Sequence, residues 1–404
     1  VMKINSSEKG QALIVIAFAA IVLFGFAALA IDGSMAFSDK RHAQSAADTA
    51  ALAGALAYSR GNDITTSAQT RAISNGYDSG TMSDVTVTAT DVPSGGCPGN
   101  VAGKDIKVDI VSYVNTSFAR VIGRTQITNA VTATSRGCGY YVAPLFNGNA
   151  IVGLNPNTSS CAFDSGNSNS AHWKIKGSGL FSNGCAFSKN GNSVTFVDPG
   201  DCATTVGTAT GFAACTPQLG QAINYPDDVL AIMPENPCDG TPGDVGLAPP
   251  ASGSTFTNGI YCISDLDDYD SEDIHLDNAT LYVTDTDFNL KFAGGGGFSG
   301  TATSSGDFED YYMIIAYRSD PCQDFNDNDA QIIQYRGNGS GSFQGTVLAP
   351  SACIDLRGNG EASGLHTQII AYNVSTNGNA EVYVNFQVDE NHQIPVYPTI
   401  TLLQ

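Results

Sequence analysis

Between Gln11 and Ile31 the chain carries 21 consecutive uncharged residues, QALIVIAFAAIVLFGFAALAI, and this run restricts the fold more than any other stretch. As an α-helix it is about 31 Å long, enough to cross a hydrocarbon core of about 30 Å. A cleaved secretory signal has a shorter apolar stretch, about 7–15 residues, ended by small residues at the cut. Here helix-favouring sequence continues past Asp32 as GSMAFSDKRHAQSAADTAALAGALAYSRGN, rich in alanine and free of proline. The pattern predicts one helix over residues 1–60, apolar in its first half and amphipathic in its second, with Gly25 and Gly33 as places where it could bend.

The second half bears a stripe of small side chains. Ala43, Ala46, Ala47, Ala50, Gly54 and Ala57 recur at steps of three and four, and such stripes let backbones approach closely. Two uses are open: contact with the chain's own domain, or packing of helix against helix between subunits. The second makes these six residues an assembly surface.

The segment EKGQALIVIAFAAIVLFGFAALAIDGSMAFSDKRHAQSAADTAALAGAL resembles the N-terminal region of TadE/TadG-like proteins of the Flp-type tight-adherence pilus system. The shared features are a Gly-Gln-Ala start, an apolar helix, an Asp just beyond it and an AQSAADTAALAGA tail. The likeness is specific over residues 8–58. It extends more weakly through VTVTATDV and IKVDIVSYVNTSFARVIGRTQITNAVTATS, read as alternating strands around a core at Phe118–Gly123. The resemblance implies an envelope protein of pilin-like architecture whose helix lies in the membrane before any assembly. One departure concerns processing. Lys9-Gly10 ahead of Gln11 is similar to a prepilin-peptidase site, but pilins carry Glu five residues after the cut, where this chain has Val15. Cleavage after Gly10 is not expected.

A net charge of −21 excludes a nucleic-acid role, because phosphate binding needs clustered Lys and Arg. All ten cysteines lie between Cys97 and Cys353, with no C-x-x-C pair to favour zinc. An even number in a Gly-rich, strand-rich region points to disulfides in an oxidising space. Neighbours are expected to pair in sequence: Cys97–Cys138, Cys161–Cys185, Cys202–Cys215, Cys238–Cys262 and Cys322–Cys353, the last bracketing a loop between two repeated segments. Lys3, Glu8 and Lys9 on one side of the apolar run and Asp32, Asp39, Lys40 and Arg41 on the other leave the positive-inside rule nearly silent. The cysteines therefore decide for an exported C-terminal region.

Residues 61–137 read as a small α+β unit, with a short helix at Ile64–Ser74 and strands such as VTVTAT and IKVDIV. Residues 138–404 are rich in Gly, Asn and Ser and contain a repeat. QYRGNGSG (334–341) recurs as DLRGNGEASG (355–364), 21 residues on when Arg336 is matched to Arg357. TNGNAEV (376–382) is a looser copy and FNGNAIV (146–152) a distant one; apolar partners recur as IIAY (314–317), VLAP (347–350) and IIAY (369–372). Short β segments with Gly-Asn corners at this period predict a parallel β-helix, whose corners need residues that tolerate positive φ; the alternative is a β-sandwich with Asn-Gly hairpins. Met233–Ser254, rich in Pro and Gly, reads as an excursion across the surface. The expected fold is mainly β with a long N-terminal α-helix: a pilin-like α+β unit, then a right-handed parallel β-helix.

Chemistry-bearing patterns are sparse. His42, His172, His275, His366 and His392 are scattered, with no H-E-x-x-H, nucleophile elbow, P-loop or Rossmann fingerprint. Gly294–Gly297 reads as a turn, and Asp32-Gly-Ser34, which resembles the start of a metal-dependent adhesion site, follows an apolar helix and not a central strand. Two acidic stretches, Ser264–Asp277 and Asp324–Asp329, offer oxygen ligands suited to a structural Ca²⁺. Asp324, Asn326 and Asn328 alternate as in an EF-hand loop, yet Asp329 and Tyr335 stand where that loop needs Gly and Glu; a solvated acidic surface is the other reading. No cofactor is expected. β-Helices also host polysaccharide-active enzymes, but residues 138–404 hold few Lys or Arg to neutralise a uronate.

The expectation is a non-catalytic structural subunit of a pilus-like filament at the bacterial cell surface, inserted in the cytoplasmic membrane before it polymerises with copies of itself. The alternative is a permanently anchored adhesin or pilus-biogenesis accessory protein that meets other cells or surfaces.

Overall fold

A computed structural model describes residues 9–403 except 81, 167–171, 190, 192, 241–244, 251–254, 271, 293–296, 326–328, 337–341, 358–360 and 377–380. The chain forms two compact units, Val1–Val142 with Pro395–Gln404, and Ala143–Ile394.

In the first unit α1 (Lys9–Ser59) is one uninterrupted helix. The chain turns through Gly61, at φ +70°, a left-handed value that a residue without Cβ adopts at low cost. It re-enters helix at α2 (Ile64–Ser74), capped by the Asp63 carboxylate, which accepts the Thr66 N–H at 2.6 Å. Three antiparallel strands follow: β1 (Ser83–Asp91), β2 (Gly103–Asn115) and β3 (Gln126–Cys138). Period-two patterning of β2 buries Ile106, Val108 and Ile110, which join Val131 and Ala133 of β3 in one core with the alanines of both helices.

Two features differ from the sequence reading. The C-terminal residues, placed with 138–404, return to the first unit, where Ile400–Leu403 pairs antiparallel with β3. A four-residue strand has too little pattern to be read alone; the open edge of β3 selects it. Phe118–Gly123 is not a packed core but the tip of the β2–β3 hairpin. Its Ala119–Ile122 forms a 3-10 turn, Phe118 and Val121 are exposed, and Gly123 sits at φ +87°. A connection between antiparallel neighbours lies at the sheet's end, where nothing on the far side covers it.

The second unit is mostly β and parallel. Three ladders run through it. In the first, Thr255–Ile263, Asp273–Val283, Tyr311–Ile315, Thr346–Arg357 and Ile369–Thr376 are successive parallel neighbours, and the order continues from Ile369–Thr376 to Ile151–Gly153, Leu180–Ser182 and Ala203–Thr205. A second ladder joins Phe288–Phe292, Gln331–Arg336, Thr346–Arg357, Ile369–Thr376, Phe163–Asp164, Ala186–Phe187 and Ala209–Thr210. A third joins Asp273–Val283, Gly297–Thr301, Phe343–Gln344, Glu361–His366, Glu381–Asn385, His172–Lys176 and Val194–Phe196.

The sequence repeat lies in register, Arg336 opposite Arg357 and Val347-Leu348-Ala349 opposite Ile369-Ile370-Ala371. The segment 314–317 is offset by one: Ile314 faces Leu348, where the repeat would pair it with Val347. The distant copy 146–152 enters the first ladder, with Ile151 opposite Ile369, while Glu381 of the looser copy lies in the third. The Gly-Asn corners 337–341, 358–360 and 377–380 lie outside the described residues.

The strands of these ladders are not stacked in chain order. The segment containing Ile151 stacks on the last one, the chain proceeds outward to Gln218–Leu219, crosses, and returns from Gly246–Leu247 toward Ile369–Thr376. The crossing segment covers an apolar row formed by Tyr282, Ile314, Leu348, Ile370, Val152 and Phe181, which are consecutive partners across the first ladder. Fully buried Val229 and partly buried Ile223, Tyr225, Ile232 and Met233 pack on that row. Asn183 clamps one end, accepting the Ile223 N–H at 2.8 Å and donating to its carbonyl at 3.0 Å; Cys238–Cys262 closes the other. The excursion read from the sequence thus begins earlier, at Ile223, because an exposed apolar row across several coils needs a cover.

Candidate assembly and membrane-facing surface

The helix α1 changes role along its length. From Leu13 to Phe37 its large apolar side chains face outward, among them Leu13, Phe18, Leu23, Phe24 and Leu29 at 65–75 % exposure. This is a helix long and apolar enough to cross a membrane, and none of the chain's own described residues buries it between Leu13 and Ile31. From Asp32 onward one face becomes occupied, first at Asp32 and Ala36 and then along the residues from Ala43.

That face is the small-residue stripe. Ala43, Ala47 and Ala50 are fully buried and Ala46 nearly so, against Ile106, Val108, Val131 and α2, and Ala57 is 4 % exposed. At Gly54 a Cβ would stand 2.8 Å from Cγ2 of Ile106 and 3.4 Å from Cβ of Ala68, so only glycine permits this crossing. The expected assembly role of these six residues is therefore corrected: their close backbone approach is to their own sheet and to α2. Of the two uses open to the stripe, contact within the domain is the one realised. The apolar half before Asp32 is left uncovered by the described residues.

Where the halves meet, two carboxylates tie helix to sheet. Asp39 accepts from the Ser112 hydroxyl, from Nδ2 of Asn129 at 2.8 Å and from the Tyr77 hydroxyl at 3.1 Å. Asp32 is 4 % exposed and receives three consecutive backbone N–H groups of the hairpin tip: Ser117 at 2.8 Å, Phe118 at 3.0 Å and Ala119 at 2.6 Å. The Ala119 N–H, against the opposing effect of burial and with Ser117 and Phe118 adding to it, holds the Asp32 carboxyl below the usual carboxylate range. Sequence reading noted Asp32 beyond the apolar run but missed this partner. The signal was a carboxylate directly after an apolar run.

A pH dependence follows. A carboxylate whose folded-state pKa is lowered contributes stability at neutral pH that is lost as pH falls through the folded value. Protection of the Ser117, Phe118 and Ala119 amides, relative to intrinsic exchange, should be high at neutral pH and collapse below the ordinary carboxylate range. Asp32→Ala should abolish it at all pH values. Protection unchanged in that variant would show that another contact holds the tip.

The ten cysteines form Cys97–Cys138, Cys161–Cys185, Cys202–Cys215, Cys238–Cys262 and Cys322–Cys353, neighbour with neighbour. Of the residues of the calcium reading, Asp324 is described, whereas Asn326 and Asn328 lie outside the described residues. In the other acidic stretch, Asp267 accepts the Asn289 N–H at 2.8 Å and Asp270 the Lys291 N–H at 2.5 Å, so these carboxylates tie the segment to the strand Phe288–Phe292. Among the described residues no group of three or more His, Cys, Asp and Glu is placed to hold a metal.

Neither the curated proteins nor the solved structures contain a match to this chain. Residues 10–57, the apolar half of α1 together with the half packed on the sheet, match the family model described as putative Flp pilus-assembly TadE/G-like, so over this N-terminal segment the chain is similar to that family.

Proposed function

We propose that this protein is a pilus-assembly protein that enters a filament as a structural subunit. The observation that carries this reading is the division of α1: an apolar half that the chain's own described residues leave uncovered, followed by a half packed on an antiparallel sheet. A face of this size costs too much in water to stay bare, at about 25 cal/mol per Å² of apolar surface. It is stored in the cytoplasmic membrane and, on assembly, buried against the same half-helices of other copies. The β-rich units stay outside that bundle. The three parallel ladders support a right-handed parallel β-helix for Ala143–Ile394, since crossovers between parallel strands are right-handed in about 98% of cases. The role is structural and not catalytic, and the five disulfides support an exported location.

A second reading, a permanently anchored adhesin or biogenesis accessory, draws on the occupied stripe, which leaves less helix surface for neighbours than a free stripe would. Sheared surface filaments and membrane fractions separate the two. The wild-type chain is expected in both. Val22→Asp, which places a charge at mid-span at a cost of about 2.5–3.5 kcal/mol, should deplete the chain from the membrane and from filaments together. Filaments that lack the wild-type chain while the membrane retains it would favour the permanent anchor.

A further inference from the structure

We propose that the β2–β3 hairpin tip, Phe118 to Arg124, is a second membrane contact that binds anionic phospholipid headgroups. The inference rests on the apolar run being embedded in a bilayer, a state common to both readings above.

The geometry fixes the height of the tip. The uncharged run ends at Ile31, and the carboxylate of the next residue, Asp32, holds the N–H groups of Ser117, Phe118 and Ala119 within 3.0 Å. A helix rising 1.5 Å per residue fills a 30 Å core with about 20 residues, so the hydrocarbon boundary falls in the last uncharged turn. The tip is thereby tethered at the level of the headgroups. It cannot swing away without giving up three charge-assisted hydrogen bonds.

The side chains shown there suit that level. Val121 is 87 % exposed and Phe118 45 %, large apolar groups that gain by entering the acyl boundary. Arg120 and Arg124 are exposed between and beside them. No Asp or Glu occurs from Ile110 through Phe163, and the nearby carboxylates Asp32 and Asp39 are engaged internally. In a chain of net charge −21 this leaves a local cationic tip with apolar points, the composition that recognises phosphate-bearing anionic surfaces; each Arg near such a surface changes affinity about fivefold. The contact would set the rotation and tilt of the first unit on the membrane.

The test uses the full chain reconstituted in vesicles of phosphatidylglycerol or of phosphatidylcholine, with brominated acyl chains as quenchers. Val121→Trp adds a reporter at an exposed site; Phe24→Trp reports the span itself, and Trp173, fully buried in the second unit, supplies a constant background. Expected is a blue-shifted Val121→Trp emission quenched in phosphatidylglycerol, with the quenching reduced in phosphatidylcholine and equally reduced by adding Arg120→Gln and Arg124→Gln. Quenching of Phe24→Trp without quenching of Val121→Trp would overturn the tip contact while leaving the membrane span intact. If neither is quenched, the span reading fails and the inference with it. Quenching indifferent to headgroup and to the arginines would overturn headgroup binding. Shielding of Val121→Trp from both lipid and aqueous quenchers, growing with protein-to-lipid ratio, would assign the tip to a second copy and also overturn the proposal.

Discussion

Replacing Ala46 and Ala50 by Leu should unfold the first unit before it disturbs any assembly. Both residues lie in the contact between α1 and the sheet, at 2 % and 0 % exposure. Each Leu adds three carbons where the backbone already lies against Ile106, Val108 and Val131. Overpacking costs about 1–3 kcal/mol at each site, and the two share one core, so their effects should not simply add. The check is amide exchange across β2 and β3 together with the melting of the first unit. Ser45→Leu, on the exposed side of the same turn, is the control and should stay within about 0.5 kcal/mol of the parent. A double variant that melts with the parent but forms no filaments would return the stripe to an intersubunit role.

The second large effect is expected from Cys322→Ala with Cys353→Ala. Both sulfurs are buried, at 1 % and 0 % exposure, and the bond closes a loop with a sequence separation of 31. Around it, the Cys322 N–H donates to the Ser351 carbonyl at 2.8 Å and Nδ2 of Asn373 donates to the Cys322 carbonyl at 2.9 Å, so the loop is fastened to two coils. Releasing a loop of this length from its cross-link should cost about 3–4 kcal/mol through the entropy regained by the unfolded chain. For a unit of this size that lowers the melting temperature by about 6–16 °C. Thermal melting of parent and variant under oxidising conditions measures it. An unchanged melting temperature would mean that Ser351 and Asn373 hold the loop without the bond.

The same bonds show why part of this molecule was legible in its sequence. In stacked parallel strands a residue one coil further on lies about 4.8 Å away, within disulfide reach. Cys161 and Cys185, separated by 24 positions with Cα atoms 4.3 Å apart, sit on adjacent coils, two residues before Phe163 and one before its partner Ala186. Pairing of these two neighbours in sequence is then what adjacent parallel strands close in the chain produce. Arg336 and Arg357 fell into register for the same reason: each parallel strand repeats the environment of the one beside it. The order of the coils was not legible. Ile151 stacks on Ile369 because both segments expose similar open ladders, and a repeat reveals the period of a stack but not which coil closes on which.

The helix draws the line most sharply. Its length and its apolar half follow from composition and helix propensity, properties a residue carries with it. The partner of the alanine stripe, the hairpin tip held by Asp32 and the cover over the row from Tyr282 to Phe181 do not. Small side chains state that something approaches closely, and a carboxylate after an apolar run states that something must satisfy it. Only the tertiary structure names the partner, because contacts between residues such as Asp32 and Ala119 are selected by the packing of whole elements and leave no mark in the spacing of either segment alone.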